Sequence, residues 1–143
     1  SSFCSSSNPT VISKTEIEQL IKQHKDFFDK LFNNNLNDND ISAGLPYYLI
    51  DVRQPQEIED TGTIDDSAIH IPLNVLDRAL TVDEKQFESA FGVPKPKTDA
   101  PLIFYCHSGY RSEYACTIAT NKGFTNLKNY KGSAAEWFGL QRH

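Results

Sequence analysis

The chain has 143 residues, enough for one compact domain on a scale of about 150 residues per domain. Fourteen Lys and Arg stand against nineteen Asp and Glu, a formal net charge of −5, which argues against nucleic acid or an anionic membrane surface as partner. Three cysteines, Cys4, Cys106 and Cys116, are too few and too unevenly spaced for a disulfide framework or a zinc pair, so a reducing intracellular compartment is expected.

Residues 1–10 (SSFCSSSNPT) are Ser-rich and show no period of 2 or 3.6, so they are expected to form a flexible end. They lack the apolar stretch of a signal peptide. Their freedom from acid fits the remnant of a transit peptide, although the Arg of such peptides is missing. There is no Met in the sequence, so a chain starting at Ser1 is not expected to be the primary translation product. The domain proper is expected over residues 11–143.

Val11 and Ile12 suggest a short strand, and Ser13 with Glu16 carries the capping-box signature of a helix start. Ile17, Leu20, Ile21, His24, Phe28, Leu31 and Phe32 then repeat at spacings of three and four, predicting one amphipathic helix. The Asn/Asp-rich stretch that follows predicts a mobile loop over residues 33–44, because these side chains compete with the backbone for hydrogen bonds. Residues 47–52 (YYLIDV) read as a buried strand, and Pro55 opens a short helix over residues 55–60. A second short strand is expected at residues 68–71, and Thr81 with Glu84 predicts a capped helix from there to Phe91. The prolines of residues 93–97 (VPKPK) predict an extended connection.

Residues 102–105 (LIFY) are the most strand-like segment, and even the apolar run to Cys106 falls far short of the roughly 18–20 residues needed to span a bilayer. A helix is expected over residues 112–122 and closed by Gly123, then a strand at 127–130 and a last helix at 133–140. Strands alternating with helices at this pace predict an α/β domain with a parallel sheet covered on both faces.

The chemistry concentrates at residues 106–111 (CHSGYR), between a buried strand and a helix, where parallel α/β sheets bind ligands. Gly109 permits a tight turn, so that loop and first-turn N–H groups can converge on an anion. A cysteine in such a cradle, with Arg111 close by, is expected to favour the thiolate and so to be nucleophilic. His107 is open between a proton shuttle and a side chain turned outward to meet a donor. Cys116, mid-helix among Ala115 and Ile118, is expected to be structural. Trp137 and Phe138 are expected to pack the core. His24, His70 and His143 have no ligand spacing, and neither metal nor cofactor is expected. Nine basic against seventeen acidic residues precede Cys106, and five against two follow from it onward. The positive surplus therefore falls in the segment that holds the loop, and a field favouring small anions is expected there.

The sequence resembles a single-domain rhodanese, a three-layer fold with a central parallel sheet flanked by helices, over roughly residues 11–140. The resemblance rests on an ordered series: Val11-Ile12-Ser13 with Glu16 and Ile17; Leu49-Ile50-Asp51-Val52-Arg53 with Pro55 and Glu57; Gly62 and then Ile71-Pro72-Leu73; the Cys106–Arg111 loop; and Tyr130, Gly132 and Trp137. It is most similar to the small eukaryotic sulfurtransferases that include thiosulfate to glutathione enzymes. This implies that Cys106 carries a sulfane sulfur from thiosulfate or a persulfide to cyanide, glutathione or another thiol. It also implies that Arg111, His107, Ser108, Gly109, Tyr110 and Ser112 bind substrate and that Asp51 and Arg53 are structural, with Arg53 pairing Glu57 or Glu59. A monomer of the mitochondrion or cytoplasm is expected.

The four residues between Cys106 and Arg111 are one fewer than in related phosphatases, which disfavours a phosphatase or arsenate reductase. The presence of the cysteine itself argues against a non-catalytic binding module. Two departures from the family pattern stand out. Residues 62–68 (GTIDDSA) replace the usual Gly-His-Ile-Pro-Gly-Ala turn, and Ser133 stands where a second glycine is usual, available to cap the last helix.

Overall fold

The computed structural model describes residues 9–142; the expectations for the Ser-rich end up to residue 8, with Cys4, and for His143 lie outside the described residues. Five strands form one parallel sheet: β1 (Thr10–Val11), β2 (Tyr48–Asp51), β3 (Ile69–His70), β4 (Leu102–Tyr105) and β5 (Leu127–Asn129). Their spatial order is β1-β5-β4-β2-β3, with Leu49 opposite Ile103 and Asp51 opposite Tyr105. Every residue of β2 and β4 is buried, as expected of central strands covered on both faces.

The connections explain that coverage. Helices α1 (Lys14–Gln23), α2 (Lys25–Phe32), α3 (Asp38–Ser42) and α4 (Pro55–Thr61) lie on crossovers that advance toward β3. Helices α5 (Leu73–Ala79), α6 (Glu84–Phe91) and α7 (Tyr110–Asn121) lie on crossovers that run the other way. Since parallel crossovers are right-handed, the two groups take opposite faces of the sheet. The last helix, α8 (Ser133–Phe138), follows β5. The direction reverses between β2 and β4. Their carboxyl ends therefore flank the crevice where such sheets bind ligands.

The local signals that act within one turn are realised closely. Ser13 and Glu16 form the reciprocal capping box at the start of α1, Pro55 opens α4, and Gly123 follows α7 with φ +95°. Several expectations need correction. The single helix expected over residues 17–32 is two, because His24 leaves helical geometry at φ −108°, ψ 13° and sets its ring against Tyr47. Within the stretch expected to be a loop, Asn37 caps α3 by accepting from the Asp40 amide at 2.8 Å. The cap of α6 is Asp83 with Gln86, not Thr81 with Glu84; the Thr81 hydroxyl instead donates to the Asp77 carbonyl at the end of α5. Helix α5 was not foreseen. The substituted turn at residues 62–68 is held by Asp65, whose carboxylate accepts from the Ser67 amide and hydroxyl at 2.9 and 2.6 Å. It is tied to the sheet by the Ile64 amide donating to the Tyr105 hydroxyl at 3.1 Å.

Among the described residues no helix is long and apolar enough to cross a membrane. No group of three or more His, Cys, Asp and Glu among them is placed to hold a metal ion.

Candidate active site

Strand β4 delivers Cys106 to the sheet's carboxyl edge, and the chain then turns through residues 107–109 into α7. Gly109 makes that turn at φ +97°, a left-handed conformation that costs a residue with a Cβ about 1–2 kcal/mol. A Cβ there would also drive into the Lys131 backbone. The turn aims the Gly109 amide at Cys106 Sγ, 3.1 Å away. The first amides of a helix have no partner within it, and here they face a sulfur.

Cys106 is buried, with 1% of its surface exposed. Burial pushes its thiol upward, but the Ser112 hydroxyl and the backbone amides of Ser112, Gly109 and Ser108 outweigh it and bring the pKa below the ordinary thiol range. Behind the sulfur lies a closed polar network. In the thiol form Cys106 Sγ donates to Ser112 Oγ at 3.5 Å and Ser112 Oγ donates to Asn129 Oδ1 at 2.6 Å; ionisation of the thiol leaves that one hydroxyl proton to turn from Asn129 to the sulfur, while Asn129 Nδ2 donates to the Gly109 carbonyl at 3.3 Å. Ser133, expected as a helix cap, accepts instead from the Cys106 amide at 3.1 Å and donates to the Tyr130 carbonyl at 2.7 Å. It does so at φ +56°, and the two hydrogen bonds offset the cost of holding a serine where a glycine would be unstrained. The amides of Ala134 and Ala135 donate to the carbonyls of Cys106 and His107, so α8 braces the loop from the other side.

A cavity of about 440 Å³ opens over the loop, lined by Arg53, Glu57, Asp60, Thr61, His107, Ser108, Arg111 and Leu140. His107, Ser108 and Arg111 thus face the cavity. Ser112 and Gly109 lie inside against the sulfur, and Tyr110 is 75% exposed and outside the cavity lining. His107 Nε2 bonds the Gln141 carbonyl and Arg142 donates to the Ser108 carbonyl at 2.9 Å, so the end of the chain lies along the loop.

The ion pairing differs from expectation. Arg53 is 1% exposed and pairs with the fully buried Asp51, its Nη2 to Oδ2 distance being 2.8 Å. It also donates to Thr61 Oγ1 and to the Gly62 carbonyl, each at 2.9 Å. Glu59 takes no part. Glu57 instead grips Arg111 with both oxygens, at 2.7 and 2.8 Å, and that guanidinium holds its carboxyl down at about 2. The positive charge of Arg111 is therefore balanced at the mouth by Glu57. Carboxylates from the acidic body, Glu57 and Asp60 on α4, come to face the basic loop. Asn129, Ser133 and Glu57 were not foreseen as neighbours of the site. The signals were the place of Glu57 in the motif that follows Arg53 and the proximity of Asn129 and Ser133 to the Tyr130–Gly132 motif.

The comparisons with known proteins agree with this geometry. The thiosulfate sulfurtransferase RDL2, mitochondrial, of Saccharomyces cerevisiae is 34% identical over 133 residues, covering 93% of this chain and 83% of the relative. The thiosulfate:glutathione sulfurtransferase of the same yeast is 39% identical over 95 residues, 62% of this chain and 63% of the relative. The solved structure of the human single-domain sulfurtransferase TSTD1 superposes with a TM-score of 0.70 at 26% identity, covering 92% of this chain and 96% of that one. The family described as the rhodanese-like domain matches residues 29–140, a span that carries β2, the Cys106 loop and α8, and the chain belongs to that family.

Proposed function

We propose that the protein is a thiosulfate sulfurtransferase in which Cys106 carries the sulfur. The observation that supports this most directly is the buried Cys106 sulfur facing the Gly109 amide at 3.1 Å at the start of α7. This environment favours an anionic sulfur held by amides in place of bulk water. The thiolate attacks the sulfane sulfur of thiosulfate, the sulfur–sulfur bond of the donor breaks, and its electron pair leaves with sulfite. The resulting Cys106 persulfide keeps its negative terminal sulfur among the same amides. An acceptor thiolate, for which glutathione is our choice on the likeness to thiosulfate:glutathione sulfurtransferases, then attacks that terminal sulfur and returns the electron pair to Cys106.

In this reading Ser108 and Gly109 supply amides and Ser112 a hydroxyl to the sulfur. Arg111 and His107 meet the donor at the mouth, and Asp51 with Arg53 holds the edge of the sheet. No nucleic acid or membrane is required, and the enzyme works as a monomer within the cell, in mitochondrion or cytosol. The decisive test is intact mass after incubation with thiosulfate. A gain of one sulfur atom that Cys106→Ser abolishes is the expected result; no gain, together with hydrolysis of an aryl phosphate, would make the protein a phosphatase.

A further inference from the structure

Arg111 is the residue most naturally suited to an oxyanion donor, since its planar fork matches two oxygens of a sulfonate as it does two of a carboxylate. That fork is already filled by both oxygens of Glu57. The pair is not a buried girder: its side chains are 35% and 31% exposed and both line the cavity over the Cys106 loop. The two partners also differ in freedom. Glu57 Oε1 accepts from the Gln54 amide at 3.0 Å in the capping box of α4, which holds the carboxylate in place, whereas Arg111 reaches out from the first turn of α7 on a long flexible stem.

We propose that Glu57 determines donor specificity by acting as an internal competitor for Arg111. In the resting enzyme Arg111 is clasped to Glu57; an anionic donor must take the guanidinium from the carboxylate to be held. Ordinary inorganic anions, which gain nothing else in the site, are thereby turned away. A donor whose sulfane sulfur also enters the amide cradle of Cys106 recovers the difference. Asp60, which lines the same cavity and has no cationic partner among the described residues, adds to the barrier against dianions. This inference rests on the sulfurtransferase reading and adds to it the residue that sets the affinity for thiosulfate.

The test is steady-state kinetics of Glu57→Gln, which keeps the shape and the Gln54 contact but removes the charge, with folding checked by thermal melting. The expected result is a KM for thiosulfate about fivefold lower, as befits a partly exposed pair, with kcat moving by less than half as much. Inorganic sulfate should also protect Cys106 of Glu57→Gln from alkylation at about fivefold lower concentration. Glu59→Gln removes the same charge from the exposed face of α4 and should leave the thiosulfate KM within twofold. An unchanged or raised KM in Glu57→Gln would show that Glu57 merely positions Arg111, and an equal fall in Glu59→Gln would show a net-charge effect; either overturns the proposal. Should Glu57→Gln fail to fold, the sulfate protection constant of Glu57→Asp, which shortens the clasp by one methylene, decides: no fall overturns it. Loss of sulfur loading in the unaltered protein would instead overturn the activity itself.

Discussion

Cys106 and Cys116 are ten residues apart, each with 1% of its surface exposed, and their environments drive them in opposite directions. Cys116 sits within α7, where burial, assisted by the charge of Glu113, pushes its thiol up to about 12. Every amide near it is spent in the helix. Cys106 precedes the same helix, so the unpartnered amides of the first turn face its sulfur and, with Ser112, overcome the cost of burial. Depth alone makes a thiol inert; it is the position relative to a helix start that makes one reactive.

The comparison can be broken most sharply by replacing each sulfur. Cys106→Ser should reduce sulfur transfer to background. Cys116→Ala should leave the rate within about twofold and cost about 1 kcal/mol for the lost sulfur volume, read from denaturant unfolding. Next in size is selectivity toward an alkylating reagent. At pH 7 Cys106 should react and Cys116 should not, since a thiol at about 12 is almost wholly protonated there, and mass mapping of the modified peptide distinguishes them. Modification of Cys116 first would refute the electrostatic account.

Gly109→Ala tests the turn that aims the amides. Its left-handed φ and the Lys131 backbone should cost about 1–3 kcal/mol of stability, with sulfur loading falling more than melting temperature alone explains. Ser112→Ala removes one hydrogen bond to the charged sulfur, of a class that contributes about 1.5–3 kcal/mol. Turnover at neutral pH should drop about tenfold and the pH–rate profile should move to higher pH, whereas a profile that keeps its place would remove Ser112 from the cradle. The smallest effect is at the mouth. Glu57 is held at about 2 in the folded protein against an ordinary value of 4.5, so the stabilisation from its pairing with Arg111 is complete above about pH 4.5 and is lost as pH falls toward 2. Melting curves of the wild type and Glu57→Gln should therefore converge across that window.

How much of this was legible in the sequence follows the range of each signal. The edges of β4 at Leu102 and Tyr105, the capping box of Ser13 and Glu16, the Pro55 start of α4 and the Cys106–Gly109 turn are all set within a few residues, where propensity, capping and steric rules operate. Helix α5 (Leu73–Ala79) escaped because its Leu, Val and Ala pattern is short, and Thr81, two residues past its end, imitates the start of the next helix. The break at His24 escaped because periodicity runs through it unchanged, and packing against Tyr47 decides the angle.

The sequence by itself determined the alternation of strand and helix, and with it a parallel sheet, a cysteine at a strand end and a turn able to gather amides around it. Only the tertiary structure decided which charges meet. Glu57 and Arg111 are 54 positions apart, and Asp51, not Glu57 or Glu59, holds Arg53. Segment totals suggested a cationic mouth. Coulomb's law depends on distance in space, and folding brings Glu57 of the acidic α4 against Arg111 of the basic loop, so neutral dipoles face Cys106 while the mouth holds a pair of opposite charges.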